Sequence, residues 1–225
     1  MTEGSSQRSG VADGRLRPLI DPSSCALLVQ ELQNGVVGPE SSLPALAEAV
    51  RETDLLRAAA AVTAAARSLG VPVIHCTAEG LADGFGANRN ARIFAAARRR
   101  GLENRPASDS VRPVADVFAP HDLVLPRFHG LSPLTGTHLD SLLRNQGVKT
   151  VVVIGVSLNL AVTNLVMDAV NRAYQVVLVR DAVVGLPVEY GQEVLEHSLA
   201  LIATIVTSEQ LVEAWRPDSW PPAAE

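Results

Sequence analysis

The residues that could carry chemistry in this chain lie where predicted strands pass into loops. Glu31 lies near the end of the apolar run CALLVQEL (25–32), Cys76 ends the run VPVIHC, and the segment GVSLNLAV (155–162) joins a third apolar run to a helical pattern. Parallel sheets bind ligands at the carboxyl ends of their strands, so we expect these residues to border one crevice. The residue at the first turn of that helix is Ala161, whose side chain has no reactive group.

The two cysteines give no obvious nucleophile. Cys25 begins its strand and therefore lies at the end away from the crevice. Cys76 lies at the correct end, beside His75, and a relocated cysteine–histidine pair is one interpretation. The alternative, which we favour, is that neighbouring residues of a strand point to opposite faces, so that both side chains lie in the core or against helices. Two cysteines are also too few for a disulfide framework.

Six apolar runs predict strands, and the segments between them predict helices. The run KTVVVIGV is apolar on both faces, which is typical of a central strand in a parallel sheet. The alternation predicts an α/β fold with a three-layer, doubly wound, mainly parallel six-stranded sheet. The predicted strands are 25–32, 71–76, 121–126, 149–156, 176–182 and 204–207, and the predicted helices are 53–70, 91–101, 137–147, 159–175, 189–203 and one that begins at residue 208.

Helix caps and domain limits complete the predicted organisation. Thr53, Asn159 and Ser208 are predicted N-caps, because side chains of these types accept hydrogen bonds from the free N–H groups of a first turn. Residues 1–19 are predicted to be a flexible N-terminal tail, 20–216 the α/β domain, and 217–225 a C-terminal tail. Residues 80–120 are the least regular part, and a connection of this length often carries lid or oligomer contacts.

Composition excludes several classes of function. The 225 residues are 47% hydrophobic and carry a net charge of −5, which indicates a packed globular domain without a nucleic-acid surface. No apolar run approaches the ~20 residues of a membrane helix, and the N-terminus has no apolar segment of signal-peptide type. We therefore expect a cytoplasmic protein with neither nucleic acid nor membrane as a partner.

Three segments together resemble the isochorismatase-like cysteine hydrolase superfamily. ALLVQELQNG resembles that family's first strand and its Asp-Met-Gln-Asn end, and LPRFHGLSPLTGTHLDSLLRNQGVKTVVVIGV resembles its Lys-x-Arg segment, following helix and Gly-Val strand. GVSLNLAVTNLVMDAVNRAYQVVLVRDAV resembles its nucleophile helix and next strand. The resemblance covers residues 23–215. It implies an aspartate base, a supporting lysine, and a cysteine nucleophile activated at a helix start.

The three catalytic positions of the family are all changed in this chain. The aspartate position falls on Glu31, the lysine position on Leu125, and the cysteine position on Ala161. The only lysine, Lys149, begins its strand and so lies ~20 Å from the crevice at ~3.3 Å per residue. Leu125 and Ala161 cannot take part in the family's sulfur chemistry. The resemblance thus implies a site that has lost its nucleophile or has been repurposed.

The resemblance carries further expectations about metal, backbone and assembly. Metal-binding nicotinamidases have histidines after the second strand, whereas the segment CTAEGLADGFGANRN has none, so we expect neither a metal nor another cofactor. Relatives hold a non-proline cis peptide before the nucleophile helix, at the position that we place on Ser157–Leu158. A small-molecule ligand and a homo-oligomer are expected as well. The resemblance implies that the loop after strand two is buried in the oligomer, and Trp215 with the segment RPDSW (216–220) is expected to add contacts.

Two functions remain open from the sequence. The first is a hydrolase-fold protein without amidase activity, in a binding or divergent role. The second is an acid-catalysed cleavage of a vinyl ether of the isochorismatase type, in which Glu31 is the acid and burial raises its pKa. Predicted substrate-binding residues, near the crevice or implied by the resemblance, are Gln33, Arg127, His129, Ser157 and Asn159. Each of these roles has a structural alternative. In that alternative Glu31 is a buried acid that accepts hydrogen bonds from backbone N–H groups, and Arg127 is a structural arginine.

Overall fold

Six strands form one parallel sheet, as predicted. The strands are β1 (Cys25–Gln30), β2 (Val73–Ala78), β3 (Leu123–Arg127), β4 (Thr150–Val156), β5 (Gln175–Val184) and β6 (Thr204–Val206). Their order across the sheet is β3-β2-β1-β4-β5-β6, and every neighbouring pair is parallel. This computed structural model describes residues 15–81, 84–99 and 108–220. Most of the predicted N-terminal tail, part of the irregular 80–120 segment and the last five residues lie outside the described residues.

Helices cover both faces of the sheet. They are α1 (Asn34–Val37), α2 (Pro44–Glu52), α3 (Leu55–Ser68), α4 (Arg92–Arg99), α5 (Leu139–Asn145), α6 (Thr163–Asn171), α7 (Val188–His197) and α8 (Ser208–Ala214), with a π-helical turn, Leu158–Val162, directly before α6. Apolar residues of β1 alternate between the two faces. Leu27 and Val29 pack with residues of α2, α3 and α8, whereas Ala26 and Leu28 pack with residues of α5, α6 and α7. The three-layer fold prediction is confirmed.

Three predicted helix caps are wrong. Thr53 ends α2, where its hydroxyl donates to the Ala49 carbonyl, and the next helix starts only at Leu55. Asn159 lies inside the π-helical turn rather than before the helix. The N-cap of α8 is Thr207, one residue before the predicted Ser208, and it forms a capping box with Gln210. No helix was predicted over α2, which begins at Pro44, a residue that is favoured in the first turn of a helix.

The ends of the domain pack onto its core. Leu16 and Ile20 are buried, and the indole N–H of Trp215 donates to the Ile20 carbonyl. Trp215 is fully buried, so its side chain offers no surface to another copy, whereas the oligomer contact of the segment RPDSW stays a prediction. Trp220 donates to the Ala214 carbonyl. The domain limits at residues 20 and 216 stay predictions, although the chain is already part of the core at Leu16.

Gly155 is a point of close approach between the two central strands. It has a φ of 117°, and a Cβ there would lie 2.0 Å from the Gln30 carbonyl oxygen of β1. Only glycine fits such a contact without moving the backbone. The irregularity lies directly before the turn that carries Ala161, and the β4–β5 register shifts at the same place. This pairing therefore brings the carboxyl end of β4 against that of β1.

Candidate functional site

Glu31 lies at the carboxyl end of β1, where the strand passes into a turn. Its φ is 53°, which is uncommon for a residue with a side chain and often marks a functional position. The amide of Gln30 donates to Glu31 Oε1 at 2.8 Å, and Arg127 Nη2 donates to the same oxygen. No described residue donates to Oε2. The bonding of Glu31 to backbone N–H groups, considered above, is therefore not what the structure shows.

Arg127 ends β3 and reaches across the carboxyl edge of the sheet to Glu31. Its side chain is only 7% exposed, and that of Glu31 is 15% exposed. Arg127 Nη1 also donates to the Gly130 carbonyl at 2.5 Å and, more weakly, to the His129 carbonyl at 3.4 Å. The guanidinium thus donates hydrogen bonds both to Glu31 and to the loop that follows β3. This buried ion pair is the central feature of the crevice.

Burial and the ion pair shift the pKa of Glu31 in opposite directions. Burial raises the pKa of the Glu31 carboxyl, and the positive charge and hydrogen bond of Arg127, with the hydrogen bond from Gln30, offset part of that rise. The effect of burial is the larger, so the pKa lies above its usual value. Because both donors point at Oε1, a proton taken up by Glu31 would reside on Oε2. A protonated Glu31 would therefore present its proton on the unpaired oxygen.

Two glutamines support this end of β1 in different ways. Gln30 is fully buried and, among the described residues, its Oε1 has no hydrogen-bond partner. Gln33 is also fully buried, but its amide is committed to the backbone. Its Nε2 donates to the carbonyls of Ala78 and Ser110, and its Oε1 accepts from the Ala78 N–H at 2.7 Å. Gln33 therefore joins β1 to β2 and to the segment before β3.

Leu125 and Cys76 lie beside Gln30 in the sheet. The register pairs Gln30 with Cys76, and Cys76 with Leu125. Cys76 and Leu125 belong to the core on the α5–α6–α7 side. Burial raises the pKa of the Cys76 thiol to about 12; Arg127 lowers it and Glu31 raises it by smaller amounts. A thiol with such a pKa is almost entirely protonated at neutral pH, which agrees with a core role for Cys76.

The turn after β4 carries the remaining predicted residues. Ala161 is buried in the π-helical turn, and the Ser157 carbonyl accepts from the N–H groups of Leu160 and Val162. The non-proline cis peptide is Val156–Ser157, so the predicted position at Ser157–Leu158 is wrong by one residue. This turn starts where β4 ends, at the same edge as Glu31.

Asn159 connects that turn to the loop between β5 and α7. Its Nδ2 donates to the Leu186 carbonyl at 2.8 Å, and its Oδ1 accepts from the Leu186 N–H at 3.4 Å. A side chain at Gly185 would collide with this amide, since a Cβ there would lie 2.5 Å from Asn159 Oδ1. His129 is half-buried, and its ring lies against Gly136. The predicted ligand contacts of Asn159 and His129 stay predictions.

A second buried polar cluster contains His75, which lies on the face of β2 opposite to that of Cys76. This cluster is separate from Glu31. His75 Nε2 lies 2.9 Å from Asp122 Oδ2, and Arg67 donates to both oxygens of Asp122. Burial raises the pKa of Asp122, but hydrogen bonds from Arg67, His75 and the Ala119 N–H lower it by more. Burial likewise lowers the pKa of His75, against the opposing effect of Asp122. His75 therefore serves the core rather than a catalytic pair with Cys76.

Within the described residues, no three side chains of His, Cys, Asp or Glu are grouped closely enough to hold a metal ion. The same part of the chain contains no helix that is long and apolar enough to cross a membrane.

Comparison with known proteins identifies the family. A family model described as the isochorismatase domain matches residues 25–210, which is most of the chain. The chain belongs to the isochorismatase family. Among curated proteins, no match was found.

Solved structures share the fold over nearly their whole length. An isochorismatase family protein from Desulfovibrio vulgaris is 27% identical, with a TM-score of 0.73 and coverage of 84% of this chain and 97% of that one. A cysteine hydrolase from Pseudomonas syringae is 18% identical, with a TM-score of 0.75 and coverage of 90% and 96%. An N-carbamoylsarcosine amidase from Thermoplasma acidophilum is 23% identical, with a TM-score of 0.65 and coverage of 83% and 97%. The two likenesses below 25% identity show the fold alone.

Proposed function

We propose that this member of the isochorismatase family does not hydrolyse amides through a cysteine, and that it has a binding or divergent role at the carboxyl edge of the sheet. The observation that carries the proposal is the buried ion pair of Glu31 with Arg127. An acid that must take a proton from a thiol needs a thiol beside it. Here the acid's Oε1 is held by Arg127 and Gln30, and the turn in front of α6 has alanine at the family's cysteine position.

The chain offers no replacement for the missing sulfur chemistry. Burial raises the pKa of the Cys25 thiol to about 12, with a smaller contribution from Asp21. Burial raises the pKa of the Cys76 thiol to about 12 as well. At neutral pH the thiolate fraction of either group is on the order of 10⁻⁵. The lysine position is Leu125, and the guanidinium of Arg127 is already bound to Glu31 and to backbone carbonyls. Neither the nucleophile nor its supporting cation is therefore supplied from elsewhere in the described chain.

Ammonia release from a panel of primary amides, nicotinamide included, tests this proposal. We expect the unmodified protein to release no ammonia above the rate without protein. A variant that carries both Leu125→Lys and Ala161→Cys is the informative comparison, since it returns the two missing groups. Robust turnover by the unmodified protein would overturn the proposal, and turnover only by the double variant would support it.

A second candidate function is acid-catalysed vinyl ether cleavage, and the raised pKa of Glu31 favours it. Glu31 Oε2 would give its proton to the enol-ether carbon, and a water molecule would add to the resulting oxocarbenium carbon. The hemiketal would then break down to a ketone and an alcohol, with one proton returned to Glu31. This reaction needs neither a thiol nor a lysine, so Ala161 and Leu125 do not prevent it.

Isochorismate separates the two candidates. Turnover that is abolished by Glu31→Gln would select acid catalysis, because glutamine keeps the size of the side chain and removes the proton. Absence of turnover by the unmodified protein would leave the binding role. In the acid-catalysed case a substrate carboxylate would take the place of Glu31 at Arg127, so Arg127→Gln is expected to raise KM. Because the variant also lacks the charge that lowers the pKa of Glu31, the pH dependence of kcat is expected to change as well.

A cytoplasmic homo-oligomer stays part of the proposal. Exposed apolar side chains, among them Leu160, Met167 and Tyr190, are available for contacts between copies. Light scattering at micromolar concentration tests it, and a compact monomer would count against it.

A further inference from the structure

A groove of about 390 Å³ opens at the carboxyl end of β5, and Glu31 and Arg127 are not among its lining residues. Its apolar wall is formed by Leu158, Val183, Val184 and Val188. Clefts of a few hundred cubic ångströms are typical of small-molecule sites, and the carboxyl ends of strands are where open α/β sheets bind ligands.

A bulge in β5 supplies the polar side of this groove. Val153 of β4 pairs with Leu178 of β5, and the next pair is Gly155 with Val183. An advance of two residues along β4 therefore corresponds to an advance of five residues along β5. Arg180 lies in that interval together with Asp181, and both are exposed while the residues on either side are buried. Strand bulges re-aim side chains and are frequent beside functional sites. Here the bulge places two opposite charges at the groove.

The negative charge of this pair is already satisfied. Asp181 Oδ1 accepts from the Ser208 N–H at 2.7 Å, and Asp181 Oδ2 accepts from the Ser208 hydroxyl at 2.5 Å. Asp181 therefore joins β5 to the start of α8, where a carboxylate is favourably placed near free N–H groups. Its oxygens serve the fold.

The positive charge, in contrast, has weak partners. Arg180 Nη2 donates to the neutral amide of Gln192 at 3.3 Å, and the nearest carboxylate, Glu196, is 4.0 Å away. The side chains of Arg180 and Glu196 are 44% and 60% exposed, so water weakens this ion pair. A guanidinium has five N–H donors, and most of those of Arg180 have no partner among the described residues. Arg180 is therefore the charge in the groove that is able to bind a ligand.

We propose that this groove binds a small monocarboxylate with an apolar body. The carboxylate accepts hydrogen bonds from Arg180, and Gln192 lies close enough to add a polar contact at the rim. The apolar part of the ligand lies against Val183, Val184 and Val188. The site is independent of the proposed function at Glu31, and either one can fail without the other.

Binding of hexanoate, compared with hexan-1-ol and hexylamine, tests the charge preference. Two-dimensional NMR titration of the full chain is suitable, because it reports both affinity and location. We expect saturable shifts for hexanoate, centred on the residues that line the groove, and much weaker effects of the two other probes. Equal binding of hexylamine, shifts located elsewhere, or no saturable shift with hexanoate would overturn the proposal.

Two variants and one control locate the site. Arg180→Gln is expected to weaken hexanoate binding about tenfold or more, because the charge-assisted hydrogen bonds to the carboxylate are lost. Val188→Trp places a large ring in the groove and is expected to abolish binding without removing the charge. Arg144→Gln is the control, because Arg144 is also a half-exposed arginine but lies outside the groove, paired with Asp140. Unchanged affinity in both groove variants would contradict the proposal.

Discussion

Replacing Arg127 by methionine leaves Glu31 buried at the crevice without its cation. The two side chains are 7% and 15% exposed, so water screens the stranded carboxylate poorly. Burial already raises the pKa of Glu31, and loss of Arg127 raises it further, because the charge and hydrogen bond of Arg127 lower it in the unmodified protein. Glu31 in Arg127→Met is therefore expected to take up a proton rather than stay charged.

Proton uptake sets an upper limit on the destabilisation that the unpaired Glu31 can cause. Keeping a carboxyl neutral when its unfolded pKa is about 4.3 costs about 1.36 kcal/mol for each pH unit above that value, which is about 3.7 kcal/mol at pH 7 and about 1.0 kcal/mol at pH 5. A carboxyl with a raised folded pKa loses stability as pH rises, so the variant is affected more at pH 7. The lost hydrogen bonds to the His129 and Gly130 carbonyls add about 1–3 kcal/mol at both pH values.

Urea denaturation at pH 5 and pH 7 measures the difference. Relative to the unmodified protein, Arg127→Met is expected to be destabilised more at pH 7 than at pH 5, by less than the limiting difference of about 2.7 kcal/mol, because the raised pKa of Glu31 already costs the unmodified protein part of it. In the double variant Glu31→Gln/Arg127→Met this extra pH dependence disappears, because the titrating group is gone. Arg144→Met, which breaks a half-exposed pair with Asp140, is expected to cost less than about 1 kcal/mol at both pH values.

Equal destabilisation of Arg127→Met at the two pH values would contradict proton uptake by Glu31 in the variant. It would mean that Glu31 has the same protonation state with and without Arg127. A pH dependence that survives in the double variant would refute it as well, since the effect would then come from another group.

Three further changes test other parts of the structure. Ala161→Cys alone is expected to release no ammonia from nicotinamide. Without a lysine the new, buried thiol has a pKa of ~8.5 or above, so at most a few per cent is thiolate at pH 7. Turnover by this variant would contradict the expectation. Cys25 and Cys76, with pKa values of about 12, are expected to resist a chromogenic thiol reagent at pH 8 until the protein is denatured. Fast reaction of either thiol in the native state would be the opposite result. Gly155→Ala is expected to destabilise the protein by more than about 3 kcal/mol in urea, since its Cβ would overlap a carbonyl oxygen of β1. Gly70→Ala is the control, because Gly70 also has a positive φ but has open space where the Cβ would lie. It is expected to lower the free energy of unfolding by only about 1 kcal/mol. Equal losses in the two variants would contradict a steric clash at Gly155.

The sheet was predictable because its signal is strong and local. Apolar runs such as KTVVVIGV, separated by helical patterns, leave few alternatives to a parallel α/β sheet, and all six strands form where they were predicted to within about three residues. Caps were less predictable. Thr53, Asn159 and Ser208 are all suitable N-cap types, yet neighbouring residues took that place or the chain formed a different turn, because a cap depends on backbone geometry that residue type does not fix.

The site was predictable in position but not in its bonding. The sequence predicted that Glu31 and Arg127 share one edge of the sheet, because both follow strands. It did not predict that they bind each other, since this depends on the reach of a long side chain across the ends of β1, β2 and β3. Gln30 was missed, although a polar residue inside an otherwise apolar strand was a usable signal. Arg180 was missed because nothing in the sequence marks a bulge that exposes two neighbouring residues together.

The most direct test of the ion pair is the titration of Glu31 itself, followed by carbon-13 NMR of glutamate-labelled protein and assigned with Glu31→Gln. The pKa of Glu31 is expected to lie above that of an exposed glutamate in the unmodified protein, because of burial, and to rise further in Arg127→Met. An identical pKa in the two proteins, or a lower one in the variant, would contradict the claim that Arg127 holds the acid of this site.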